Sequence, residues 1–308
     1  VSRSILVTVP ATTANIGPGF DCLGAALTLY NHFKFTPLDQ AAGTVTITVQ
    51  GKEAERVVTD SSNLAYKAFA HYFRSRELVV PAVAIAIDLD LPLARGLGSS
   101  STAIVGGLLG ANGLCDEPLN QAALAELAIA IEGHPDNVVP ALVGGCQLAV
   151  AGEDGSATLC PIPWHSDVVP VVAIPDFELS TAEARRVLPA TYSRTDAIFN
   201  TAHLGLLLRG LESGNGDWLR VALADRIHQP YRQTLIPGYA AVAEGAIAAG
   251  AYGLVISGAG PTLLALAPAT AAPAVAEGMT TAWQREGQSV TALALALETR
   301  GGRLETVA

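Results

Sequence analysis

Apolar and polar positions alternate with period two along Thr44-Val-Thr-Ile-Thr-Val-Gln50, the pattern of a strand with one face buried. Ile5–Val9, Ala25–Phe35 and Val83–Leu91 read as further strands, the first followed by a Gly/Pro turn. Asn63–Phe73 changes to helical spacing, and Ala103–Leu114 is apolar or small all round, which predicts a buried helix. Another helix is expected over Leu119–Glu132, with Asn120 as a cap and apolar positions at Leu124, Leu127 and Ile131. Gly144–Pro161 predicts a hairpin turning at Glu153-Asp-Gly155. Val168–Ile174 is strand-like, and Ser180-Thr-Ala-Glu183 has the spacing of a capping box that opens a helix. Gly214-Asn-Gly216 breaks the long helical stretch that follows. Tyr252–Ser257 and Leu263–Ala267 predict strands around Gly258-Ala-Gly-Pro261, and a helix (about 271–286) and a strand (Val290–Glu298) close the chain. No internal repeat is visible, and the mixture is α+β.

Length and composition narrow this further. At 308 residues, two domains are expected, divided near 160–168 into residues 1–165 and 166–308. Hydrophobic residues make up 50% and charged ones 15%, enough for a full core and too little charge for disorder. A net charge of −10 argues against nucleic acid as a partner, because phosphate backbones need a basic face. A single anionic nucleotide is compatible, provided local devices attract it: a helix N-terminus, a few arginines, a metal ion. Cys22, Cys115, Cys146 and Cys160 lack C-x-x-C spacing and read as buried reduced thiols. With no signal-like segment and no long apolar run free of glycine, a soluble cytoplasmic protein away from membranes is expected.

The strongest chemical signal is Gly96-Leu-Gly-Ser-Ser-Ser101, between a predicted strand and a predicted buried helix. Glycines let the backbone turn tightly against a ligand, and the helix N-terminus beyond offers unpaired N–H groups that suit phosphate. An ordinary strand-to-helix turn has the same letters. It is not a Walker A loop, since the only Gly-Lys pair, Gly51-Lys52, is followed by Glu53. Glu132 ends its helix at the negative end of the dipole, a conflict that a nearby cation would remove, although a surface glutamate is the commoner reading. Asn15 and Asp21 flank Ile16-Gly-Pro-Gly-Phe20 and read as turn residues or as ligand contacts. In His134-Pro-Asp-Asn137, Asp136 or Asn137 reads as a helix cap. Thr181 and Arg185 lie four apart and share a helix face, and Arg232 lies in His228-Gln-Pro-Tyr-Arg232.

Pro92-Leu-Ala-Arg-Gly-Leu-Gly-Ser-Ser-Ser-Thr102 resembles the phosphate-binding motif of the GHMP kinases, small-molecule kinases named for galacto-, homoserine, mevalonate and phosphomevalonate kinases. Val9-Pro-Ala-Thr-Thr-Ala-Asn-Ile-Gly-Pro-Gly-Phe-Asp-Cys-Leu-Gly24 is similar to their N-terminal motif in its homoserine kinase form, and Ile256-Ser-Gly-Ala-Gly-Pro-Thr262 to their C-terminal motif. The resemblance spans about 250 residues in matching order. It implies a two-domain fold: an N-terminal domain with a left-handed β-α-β crossover, a C-terminal ferredoxin-like domain, and the active site between them. It implies ATP bound at residues 92–102 (Pro92, Leu93, Ala94, Arg95, Gly96, Leu97, Gly98, Ser99, Ser100, Ser101, Thr102), Mg²⁺ on Ser100 and Glu132, and Gly258 and Gly260 supporting the loop. It implies L-homoserine as acceptor, its ammonium on Asp21, its carboxylate on Arg185 and Arg232, with Asn15, His134 and Thr181 also at the substrate and Asn137 at the reacting hydroxyl. Phosphorylation of that hydroxyl for threonine synthesis is the expected activity, and a homodimer the expected assembly. Another GHMP kinase acting on a mevalonate-, sugar- or shikimate-type alcohol, or a non-catalytic ligand sensor, are the other readings. Asn137 stands where mevalonate- and galactokinase-like members place an aspartate, and no lysine lies in a motif, so a carboxylate base is not expected.

Overall fold

The computed structural model describes residues 3–152 and 157–307. The chain begins with β1 (Ser4–Ala14), β2 (Leu23–Pro37) and β3 (Val45–Gly51), followed by α1 (Leu64–Arg74), β4 (Val83–Leu89) and α2 (Ser99–Leu114). Then come α3 (Gln121–Glu132), α4 (Pro135–Val143), β5 (Cys146–Ala151), β6 (Ala157–Ile162) and β7 (Val168–Pro175). The remainder holds α5 (Thr181–Arg186), α6 (Arg194–Ser213), α7 (Gly216–Ala222), α8 (Gln229–Arg232) and α9 (Tyr239–Ala248). It ends with β8 (Gly253–Ile256), β9 (Leu263–Pro268), α10 (Ala272–Arg285), β10 (Val290–Ala294) and β11 (Arg303–Val307).

Two sheets organise these elements. The first has the order β11-β1-β2-β4-β3, with β5 on β2 and β6 on β5. β3 and β4 run parallel and are joined through α1. The second is antiparallel throughout, ordered β10-β7-β9-β8. β7 reads as an unbroken apolar run because both its faces are covered. Val172 and Ile174 face the core shared with the first sheet, whereas Val171 and Ala173 face α9 and α10 with Val242, Met279 and Trp283.

α2 is apolar all round, as its sequence predicts, but starts at Ser99, four residues before the apolar run, because the serines form its first turn. Its glycines mark where neighbours press on it. A Cβ at Gly106 would lie 2.7 Å from the Phe33 ring, and one at Gly107 would overlap the Ala65 carbonyl of α1. Asn63 caps α1, Asn120 caps α3 and Ser180 forms the capping box of α5, so these helix starts follow the sequence signals.

Several expectations need correction. β1 continues through Ala14 rather than turning after Val9, since Pro10 keeps the register and residues 11–14 pair with β2 beyond a shift at Pro10/Ala11. The expected last strand stops at Ala294, and β11, which the pattern did not predict, returns to pair with β1. Of the four cysteines, all unpaired, only Cys146 is buried and Cys160 is exposed. The turn expected at 153–155 lies outside the described residues.

Candidate active site

Three turns meet where the two sheets join, and each is held in backbone conformations its neighbours enforce. In the β1–β2 turn, Asn15, Ile16 and Gly17 all have positive φ, as does Asp21. Asn and Asp tolerate that region, but Ile16, at φ 44°, is β-branched and strained there. Fixed bonds hold it: Asn15 N–H donates to Leu23 O (2.7 Å), Asp21 N–H to Asn15 Oδ1 (2.9 Å), and Asn15 Nδ2 to Gly258 O (2.7 Å).

The glycine loop is fixed from both sides. Thr12 N–H donates to Leu97 O (3.1 Å), Thr262 N–H to Arg95 O (3.2 Å), and Ser257 Oγ to Gly96 O (2.7 Å). With these carbonyls consumed, the loop enters α2 through Gly98 at φ 68°. The first helical bond runs from Thr102 N–H to Gly98 O, so the N–H groups of Ser99, Ser100 and Ser101 have no partner within the helix. They and the helix dipole make this end an anion site.

A cavity of about 500 Å³ opens on this helix end. Around it stand Asn15, Asp21, Gly96, Gly98 and Ser99–Ser101 from the first two turns; Glu132, His134 and Asn137 from α3 and α4; Thr181 and Arg185 from α5; Arg232 from α8; and Gly258 and Gly260 from the β8–β9 turn. All nine residues expected at the acceptor or metal, Asn137 included, are therefore together. Ala94 also lines this cavity, while Leu93 and Thr102 line a second one of about 320 Å³ that shares Ser99 and Ser100 and is walled by Val57, Val58, Leu64 and Ala103. Pro92, Arg95 and Leu97 line neither. Leu97 is core, and Arg95 is buried against Glu53 and Glu178 and the carbonyls of Leu93, Pro175 and Asp176, a structural tie to β7.

Charge is distributed unevenly. Glu132 accepts from Ser101 Oγ (3.2 Å) and, at the limit, from Ser100 Oγ (3.4 Å). Burial pushes its carboxyl above the usual range, and His134 and the hydroxyls only partly oppose this. A half-buried carboxylate whose only direct hydrogen bonds come from two hydroxyls suits a bound cation. Among the described residues no cluster of three or more His, Cys, Asp or Glu side chains could hold a metal by itself.

Asp21 and Arg185 pair bidentately at 2.8 and 2.9 Å, both partly exposed, and this pairing raises the Arg185 guanidinium's pKa. Arg232 differs. It is only 2% exposed and donates to Ala184 O (3.1 Å) and Gly258 O (3.1 Å), with His228 Nδ1 at 3.5 Å, and among the described residues no carboxylate forms an ion pair with it. Burial, then Arg185, pull its pKa down. Phe20 lies under both cations, 5.7 Å from Arg185 and 4.9 Å from Arg232, and stacks on His228.

Asp136 is not the cap of α4. His134 holds the cap position without capping a backbone N–H through its side chain, and Asp136 turns back to bond His134 Nδ1 (2.9 Å), which raises the imidazole's pKa. Three participants escaped sequence reasoning: Thr12, which reads as one more strand residue; Phe20, hidden in a glycine turn; and His228, read only as the start of an arginine segment.

The sequence model described as "GHMP kinases N terminal domain" matches residues 63–145, and "GHMP kinases C terminal" matches 207–285. The homoserine kinase of Trichormus variabilis is 64% identical over 301 residues, covering 98% of this chain and 99% of that protein. That of Microchaete diplosiphon is also 64% identical, covering 98% and 97%. The crystal structure of homoserine kinase from Cytophaga hutchinsonii superposes with a TM-score of 0.90 at 28% identity, covering 98% of this chain and 97% of that one. L. major mevalonate kinase, at 15% identity and a TM-score of 0.69, shares the fold.

Proposed function

The chain belongs to the GHMP kinases, and within them to the homoserine kinases; on that footing we propose that it transfers the γ-phosphoryl group of ATP to the side-chain hydroxyl of L-homoserine, giving O-phospho-L-homoserine for threonine synthesis. The observation that carries the acceptor is a pocket with both charge signs beside an anion-binding helix end: Asp21 for an ammonium, Arg185 and Arg232 for a carboxylate. Mevalonate carries no ammonium, and sugar or shikimate alcohols lack the zwitterion that such a set matches.

The nucleotide would lay its phosphates on the Ser99–Ser101 N–H groups and its nucleoside in the apolar second cavity, the two cavities meeting at Ser99 and Ser100. Glu132 and Ser100 would hold Mg²⁺, which when bound neutralises charge on the phosphates and withdraws electrons from the transferring phosphorus. Arg185, Arg232 and Asp21 fix the amino-acid end, so the hydroxyl approaches in line. Asn137 orients the hydroxyl but cannot take its proton at neutral pH. A loose transition state needs little deprotonation before bond formation, so the proton can pass late to the phosphate itself. We further take residues 1–165 and 166–308 as the nucleotide-side and acceptor-side units, and expect a cytoplasmic homodimer.

The test is ADP release with L-homoserine, mevalonate, galactose and shikimate as acceptors. Homoserine should give the highest kcat/KM by at least about a hundredfold, as expected when a charged pair is left unmet by the other alcohols. Higher turnover of any other alcohol, or none with homoserine, sinks the reading.

A further inference from the structure

Asn137 lines the cavity, but its amide is not free to turn. Thr12 Oγ lies 2.7 Å from Asn137 Oδ1, and Asp136 Oδ1 lies 3.5 Å from Asn137 Nδ2. The NH₂ donates to Asp136, which leaves the carbonyl facing Thr12, whose hydroxyl donates to it. Thr12 is fully buried. Its backbone N–H is spent on Leu97 O, and Gly98 sits directly over its hydroxyl, where any Cβ would overlap Oγ. Thr12, Asn137, Asp136 and His134 thus form one hydrogen-bonded chain along the cavity floor, running from β1 to the start of α4.

We propose that Thr12 is a positioning residue for phosphoryl transfer, acting through Asn137 by holding, with Asp136 on the other side, its amide with the N–H side toward the acceptor hydroxyl. The inference rests on the kinase reading above and adds to it the polarity of the contact. Asn137 donates to the hydroxyl oxygen and holds its lone pair in place, while the O–H proton stays free to point to the phosphate. Without Thr12 the half-buried Asn137 carbonyl loses its donor and only the 3.5 Å contact with Asp136 opposes turnover of the amide, which would present an acceptor that draws the O–H proton away from the phosphate.

Thr12→Val keeps shape and removes the donor, whereas Thr12→Ser keeps the donor. Steady-state kinetics should show kcat about 10- to 100-fold lower in Thr12→Val, the range for one buried group left unpaired. KM for ATP and homoserine should stay within about threefold, and Thr12→Ser should recover most of the rate. The decisive measurement is the cycle with Asn137→Ala. If Thr12 acts through Asn137, adding Thr12→Val to Asn137→Ala lowers kcat by less than about twofold further. Should Thr12→Val not fold, Thr12→Ala carries the same cycle. Full additivity in a folded double variant, failure of Thr12→Ser to restore rate, or a defect confined to KM overturns the proposal while leaving the kinase reading intact. A wild-type protein that releases no ADP with homoserine overturns both.

Discussion

Replacing Arg232 by Leu tests how the site is charged at rest. Among the described residues, buried Arg232 bonds only carbonyls and an imidazole and has no ion-pair partner. A substrate carboxylate would therefore meet a desolvated cation that has nothing to give up. A charged hydrogen bond lost from such a pocket costs roughly 2–4 kcal/mol, or about 30- to 700-fold in kcat/KM. Arg185 is in the opposite state, already paired with Asp21 and partly exposed. The substrate must displace Asp21 from it, so the exchange trades one solvated pair for another, and Arg185→Leu should cost only about 2- to 5-fold. The assay is coupled ADP release at saturating MgATP with homoserine varied, and then the reverse. 3-Aminopropan-1-ol, which is homoserine without its carboxylate, is the control: wild type and Arg232→Leu should handle it alike. Equal losses on both alcohols, a matching rise in KM for ATP, or a larger effect at Arg185 would refute the assignment.

The remaining predictions are shorter. Glu132→Gln should lower kcat by about a hundredfold or more and flatten the Mg²⁺ dependence, because charge stabilisation of the transferring phosphoryl is lost; near-normal turnover with unchanged Mg²⁺ response counts against it. His228 is fully buried, and burial depresses its pKa. Its stabilising contribution is present above the unfolded value of about 6.5 and is lost as pH falls, by up to about 1.4 kcal/mol per pH unit. Urea titrations from pH 7.5 to 5.5 should thus show a steeper loss in wild type than in His228→Gln, and parallel losses would count against the burial argument. Gly107→Ala should destabilise despite the usual helix preference for Ala of about 1 kcal/mol, because its Cβ would overlap α1, whereas Gly205→Ala on α6, with open space around it, should stabilise by up to that amount. Paired thermal melts check the opposite signs.

Much of this was legible in sequence because it is local. The period of β3, the caps of α1, α3 and α5, and the glycine loop before α2 each depend on residues within a few positions. What failed to show depends on distant partners. β11 is recognisable only through its pairing with β1 some 300 positions away. Asp136 reads as a cap from its residue type, but His134 holds the cap position and the Asp136 carboxylate bonds its imidazole. Arg95 lies inside the loop motif, yet its partners Glu53, Pro175 and Asp176 hold it buried away from the cavity. Thr12 and Thr13 look alike in β1, but one donates to Asn137 and the other pairs with the Ser257 hydroxyl.

The grip of Thr12 and Ser257 on the glycine loop has a consequence for recombination. Leu97 O is held by β1, and Arg95 O and Gly96 O by the β8–β9 turn, so three segments far apart in sequence jointly mould one loop. Residues 93–102 are therefore not a portable cassette. A chimera that imports this loop from a distant relative should stay inactive until segments 12–15 and 256–262 are imported with it. Two separately produced halves of the chain should be inert apart and regain activity only on mixing, which makes turnover itself a reporter of their docking.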